Sequence, residues 1–212
     1  MRRNQRFACL ICRQLSPTLF GAKKICRDEP EMNVIPQLET ERLILRGWRT
    51  GDFDALAAIH ADPDVMTFLG GVQERNDAWR AFAGMVGTWV LRGYGVWAVE
   101  RKSDGAMMGR VGLINPEGWP GLEVGWTLGK PYWGQGYATE AAEAAMRFGF
   151  LTQPVDRLIS CIDPDNKASQ AVAKRIGETK GERTSLRIGG KEFPVDLWGI
   201  TRAEWLKRQS AA

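Results

Sequence analysis

Apolar and polar positions alternate around Leu43 and Leu45, and this period of two predicts a first strand over 38–48. Through Phe53, Leu56, Ala57 and Ile59 the spacing becomes helical, so a helix is expected over 52–61, ended by the Asp62-Pro63-Asp64 turn. A second helix, 76–92, is stopped by Gly93 and Gly95. Strands follow at 96–100, 107–114 and 122–128, the first two joined by Lys102-Ser103-Asp104-Gly105, and these three are read as antiparallel neighbours. The long alanine-rich helix expected over 135–151 is polar only along Glu140, Glu143 and Arg147, so it has to pack over a sheet. After a short crossover, 157–162 reads as a strand parallel to 122–128. Asn166 precedes a helix over 167–176 with Gly177 as its C-cap, 185–188 and 192–200 form a hairpin around Gly189-Gly190, and 202–208 is a last amphipathic helix. Strands and helices alternate without repeats, which points to one α/β (α+β) unit from Met32 onward.

The chemistry of this pattern concentrates at LGKPYWGQGYAT, 128–139, where a Gly-x-Gly-x-Ala turn joins a strand to the long helix. Gly134 and Gly136 permit a tight turn, so that the amides of Gln135, Gly136, Tyr137, Ala138 and Thr139 converge at a helix N-terminus. Unpaired donors at the positive end of the helix dipole make such a nest a site for pyrophosphate oxygens. Gly134-x-Gly136-x-x-Thr139 with Asp156 twenty residues past Gly136 imitates a dinucleotide fingerprint. The third glycine is absent, however, and antiparallel strands precede the only clear βαβ unit. No Gly-Lys-Ser/Thr follows, as a kinase-type phosphate loop would need.

Composition narrows the picture. Hydrophobic residues make up 44% of 212, enough for a substantial core. Residues 1–31 hold seven of the 29 basic and three of the 25 acidic residues, so 22 of each sign remain and the net charge of +4 belongs to this extension. A neutral body argues against nucleic acid as a partner. Cys9, Cys12 and Cys26 lack a fourth ligand, and the single histidine, His60, falls in a helical pattern, so no metal is expected. The extension reads either as an over-extended start or as a transit-type leader. Unpaired cysteine spacing fits a reducing compartment, here read as cytoplasmic, and no stretch approaches the roughly 18 apolar residues of a membrane span.

Five strings together resemble the GNAT superfamily of acetyl-CoA-dependent N-acetyltransferases, and within it the RimJ/RimL ribosomal-protein branch. They are TERLILR at 40–46, DPDV at 62–65, EVGWTL at 123–128, YWGQGYATEA at 132–141 and DNKAS at 165–169. The resemblance covers about 36–200. It implies a mixed, mostly antiparallel sheet flanked by helices, with a splayed parallel strand pair that takes the coenzyme. Two positions depart from the superfamily pattern. Trp133 stands where Arg or Gln is usual, and Glu178 follows Gly177 where an aromatic is usual.

The resemblance further implies acetyl-CoA as co-substrate, with its pyrophosphate on Trp133 to Thr139 and its pantetheine along Trp126, Thr127 and Leu128, and with Asn166 as a further contact. Ser169 would give the leaving thiolate its proton, and Glu123 would accept a proton from an amine. Other readings stay open: Asn166 as a plain N-cap, Ser169 as a solvated first-turn residue, and Glu123 as the structural partner of an arginine such as Arg110. Trp48, Trp97 and Trp119 are expected beside the acceptor groove, and 115–120 is either a lid or an ordinary turn. His60 is expected at the substrate rim. The acceptor is a primary amine, of a protein N-terminus or a small molecule, and the chain is expected as a monomer or homodimer. A coenzyme A or small-ligand sensor with the same fold is the alternative.

Overall fold

The computed structural model describes residues 35–188 and 190–211, so the 1–31 extension with its three cysteines, and Gly189 of the expected hairpin turn, lie outside the described residues. The described strands form one eight-stranded sheet in the order β1-β2-β3-β4-β5-β6-β8-β7. The strands are β1 (Leu38–Glu39), β2 (Leu43–Arg46), β3 (Val96–Arg101), β4 (Met107–Ile114), β5 (Glu123–Leu128), β6 (Arg157–Ile162), β7 (Thr179–Ile188) and β8 (Lys191–Thr201). Every pairing is antiparallel except β5 with β6. The helices are α1 (Phe53–Ala61), α2 (Pro63–Met66), α3 (Arg75–Arg92), α4 (Tyr137–Thr152), α5 (Lys167–Arg175) and α6 (Arg202–Ala211).

The expected first strand is in fact a tight hairpin, with Leu38 opposite Leu45 and Glu39 opposite Ile44. Its turn is stapled from a distance. Thr40 Oγ1 takes the Leu43 amide at 3.0 Å and donates to Glu140 Oε1 of α4 at 2.6 Å, while Arg42 N and Nε donate to the same carboxylate at 2.8 and 2.7 Å. A partner a hundred residues away decides this turn, which local alternation does not report. Asp62-Pro63-Asp64 likewise starts a helix as well as ending one. The Asp62 side chain accepts from the Asp64 amide and Pro63 stands at the first helical position, the usual grammar of an N-terminus.

The core lies between the sheet and α4. Ala141, Ala142, Ala145, Met146 and Phe150 are buried beneath the helix while Glu143 and Arg147 face solvent, as the stripe predicts. At Gly149 an added Cβ would stand 3.1 Å from Leu158 and 3.2 Å from Leu113, so an alanine there would need those leucines to shift by a few tenths of an ångström. Full burial of these side chains contributes roughly 1.5–3 kcal/mol for each large apolar group. Trp97 corrects the expectation of a groove tryptophan. It is fully buried, 4.7 Å from Trp89 and 5.1 Å from Phe148 between ring centroids, because its strand position faces α4. Trp48 packs on Phe82 and donates to Val96 O.

Candidate active site

The one parallel pair opens like a wedge. β5 and β6 are in register only at Glu123 and Ile159, with Ile159 N donating to Leu122 O at 3.1 Å, and beyond that point the strands diverge. At the apex, Ser160 Oγ reaches across to Val124 O at 2.8 Å and lies 3.0 Å from Glu178 Oε1. A serine hydroxyl carries one proton. Both contacts are hydrogen bonds together only when Glu178 is protonated and donates. Burial pushes Glu178 up to about 8, which agrees with this arrangement. The residue standing in place of the expected aromatic thus closes the wedge as a buried acid, a role that sequence reasoning missed.

At the wide end of the wedge, β5 runs into the glycine loop. Gly134 has φ 74° and Gly136 φ 83°, both in the left-handed region that favours glycine. Trp133 Nε1 ties the loop to the strand end by donating to Leu128 O at 2.7 Å. Helix α4 begins at Tyr137, two residues later than expected, with Gly136 as its N-cap. Its first intrahelical bond runs from Glu140 N to Gly136 O at 3.1 Å, which leaves the amides of Tyr137, Ala138 and Thr139 without intrahelical acceptors. Arg42 frames the loop. Its Nη1 donates to Gln135 O at 2.9 Å, its guanidinium lies 4.5 Å above the Tyr137 ring, and it pairs with Glu140.

A cavity of about 90 Å³ lies along the wedge and is lined by Glu123, Trp126, Thr127, Asn166 and Ser169 among others. Five of the expected site residues therefore meet in one cavity, and the loop residues Trp133 to Thr139 sit apart at the mouth of α4. The Asn166 side chain accepts from Ser169 N at 3.0 Å, so its oxygen is the N-cap and its NH2 is available to a ligand. Trp126 Nε1 donates to Ser169 Oγ at 3.3 Å. An indole can only donate, so the serine accepts and its own proton remains for another acceptor.

Glu123 is 8% exposed and does not pair with Arg110 among the described residues. Its carboxylate accepts instead from Trp119 Nε1 at 2.5 Å and from Cys161 N at 3.3 Å. Burial raises it to about 7, against the opposing pull of these donors. Of the three expected groove tryptophans, Trp119 alone touches a cavity-lining carboxylate. Its loop is an ordinary turn, with Trp119 N donating to Pro116 O at 3.1 Å. His60 is 3% exposed, with Nδ1 3.0 Å from Gln73 Oε1, and burial then Arg110 lower it to about 4. That places it inside the fold, away from the expected rim. Sequence reasoning also missed Phe68, Leu69 and Cys161 in the cavity wall. Cys161 comes there through the register of β6 and Phe68 and Leu69 through the turn after α2, neither of which local pattern reports.

The arrangement holds an open strand edge, unpaired helix amides and a buried carboxylate with a pKa near neutrality. Among the described residues no helix is long and apolar enough to cross a membrane, and no cluster of candidate metal ligands occurs. The family model described as an acetyltransferase (GNAT) domain matches residues 42–179. YkkB of Bacillus subtilis (strain 168), described as uncharacterized, is 35% identical over 154 residues, which cover 69% of this chain and 87% of YkkB. Among solved structures, an acetyltransferase from Agrobacterium tumefaciens matches with a TM-score of 0.69 at 31% identity, covering 79% of this chain and 95% of its own. RimL, described as a ribosomal alpha-N-protein acetyltransferase and solved with coenzyme A, shares the fold at TM-score 0.60 and 19% identity, covering 78% of this chain and 98% of its own.

Proposed function

Since the chain belongs to the GNAT acetyltransferases, we propose that it transfers acetyl from acetyl-CoA directly to a primary amine, as an N-acetyltransferase of the RimJ/RimL type acting in the cytoplasm as a monomer or homodimer. One juxtaposition carries this reading: a parallel strand pair that opens beyond Glu123 and Ile159, with the unpaired amides of Tyr137 to Thr139 at its wide end. The amides suit a diphosphate, and the open edge at Trp126 to Leu128 suits the amide groups of pantetheine. Asn166 contributes its free NH2 to the same arm.

Acetyl-CoA brings the acyl group already activated as a thioester, so no covalent enzyme intermediate is required. The chain's own residues position the reactants and move two protons. Glu123 takes a proton from the amine, for which a pKa near 7 is well matched. Ser169, whose hydroxyl accepts from Trp126, gives its proton to the departing thiolate. The bond between amine nitrogen and acyl carbon forms as the carbon–sulfur bond breaks.

Thiol release from acetyl-CoA, measured against a panel of amines and peptides, tests the proposal. Turnover with at least one amine is expected. Saturable coenzyme binding with no turnover across a wide panel would favour the sensor, and preferential binding of an NAD-type dinucleotide would remove the coenzyme assignment.

A further inference from the structure

Arg110 sits near the middle of β4, directly opposite Thr127 of β5. Four pairs along, Ile114 faces Glu123, and Gly112 pairs with Gly125 midway between them. Side chains alternate along strands, so Arg110, Thr127 and Glu123 share the sheet face that the cavity occupies. All three line it, together with Phe68 and Leu69 from the segment after α2. Glu123 and Thr127 are four residues apart, roughly 13 Å along the strand, and the charge of Glu123 is near enough to act on Arg110. The floor between the two ends is Gly125, which has no side chain to fill it.

Among the described residues no carboxylate forms an ion pair with Arg110, although the Glu123 charge acts on it from a distance. Its Nε is wholly shielded and bonds to nothing, and among the described residues no guanidinium nitrogen of Arg110 donates to a protein acceptor. Arginine remains protonated in proteins. Arg110 as a whole is half-buried, and a cation with one nitrogen shielded and no direct acid partner is better satisfied when an anion enters the cavity beside it. Other arginines of the sheet have acid partners. Arg46, for example, lies within 2.7 Å of Asp52 and 2.6 Å of Glu100. Glu123 is directed elsewhere, toward Trp119 and Cys161.

We propose that Arg110, with the Thr127 hydroxyl beside it, is the subsite for a carboxylate on the acceptor, and that the acceptor is a small amine bearing its own acid group, such as a free amino acid. The assignment rests on the acetyltransferase reading and, of the two acceptors expected from the sequence, takes the small molecule in place of the protein N-terminus. The carboxylate docks at Arg110 through charge-assisted hydrogen bonds, Phe68 and Leu69 contact an apolar side chain, and the amine faces Glu123 through a bridging water, because a free amino acid is shorter than the distance between the two ends. Acceptors that add positive charge, such as polyamines, meet like charge and are disfavoured. A peptide N-terminus has a neutral carbonyl where this site offers a cation, and it leaves Arg110 unpaired.

The experiment compares free L-amino acids with their carboxamides, in thiol-release assays and in acceptor binding read by tryptophan fluorescence with the coenzyme present. The acids are expected to exceed the amides roughly 30-fold or more in kcat/KM and in affinity, and Arg110→Met is expected to abolish that discrimination, with Arg110→Lys restoring part of it. Removing a half-buried cation with no direct acid partner among the described residues should leave the melting temperature of Arg110→Met unchanged or raised, so loss of discrimination is separable from misfolding. Equal use of acids and amides by the wild type overturns the subsite while leaving the acetyltransferase reading intact. If Arg110→Met moves only the pH profile of Glu123 and not the acid-to-amide ratio, the arginine serves the base and the proposal fails. Should no amine turn over, the binding comparison still decides: acids bound no better than amides would overturn it.

Discussion

The two ends of the wedge are built in opposite ways. The glycine loop and the start of α4 form a contiguous stretch whose working groups are main-chain amides, held by positive φ at Gly134 and Gly136. The proposed acceptor side draws side chains from β4, β5, β6 and the segment after α2, among them the buried Glu123, raised to about 7, and the half-buried Arg110, which has no direct acid partner among the described residues. Backbone donors aligned by a helix bind a group common to every turnover, and they need no particular side chain. Side-chain groups assembled by strand register can differ between related chains without disturbing the fold. On the proposed function, the first end serves the coenzyme and the second selects the acceptor.

Substitutions at the two ends should therefore separate. Gly136→Val forces a β-branched residue to φ 83° and brings its Cβ to 3.3 Å from Arg42, so coenzyme A affinity should fall roughly 100-fold by calorimetry while the chain stays folded. Unchanged affinity would mean that the loop does not hold the diphosphate. Glu123→Gln should lower kcat/KM roughly 100-fold, within the usual range for losing a general base. In the wild type the rate should rise as Glu123 loses its proton near pH 7, and that limb should be missing in the variant. A limb that persists in Glu123→Gln assigns the proton transfer elsewhere.

Smaller effects sharpen the contrast. Glu140→Gln removes the charge that holds Arg42 and the Thr40 turn, so coenzyme affinity should weaken by about three- to tenfold with little change in acceptor KM. A change in acceptor KM alone would break the division between the two ends. Glu178→Gln should change rates least and stability most visibly. The folded chain keeps a proton on Glu178 up to about pH 8, whereas the unfolded chain releases it near 4.5, so this group's contribution is lost as pH rises between those values. The variant should be more stable than the wild type by roughly 4 kcal/mol at pH 8 and nearly equal to it at pH 4. A stability difference independent of pH would show that Glu178 is ionised in the fold.

Most strands and helices were legible because their periods were clean: β4 and β6 fall where alternation placed them, and α4 buries the face its alanines marked. Thr40 to Arg42 was misread because Glu140, a remote partner, closes that turn. The glycine loop announced itself because its requirement is local. Asn166 and Ser169 were found together, and the structure adds the donor, Trp126, that orients the serine hydroxyl. Arg110 was noticed only as a partner for Glu123. Its isolation depends on where every nearby acid points, and Glu123 points toward Trp119 and Cys161. Glu178 was marked as unusual, but its bond to Ser160 at the wedge apex requires β5, β6 and the start of β7 to be in place.

Amide hydrogen exchange with and without coenzyme A tests the account at its centre. Protection should appear at the amides of Gly134 to Thr139 and along the open edge of β5, with little change at the buried amides of β3. Protection confined to another part of the molecule, or none at saturating coenzyme, would contradict it.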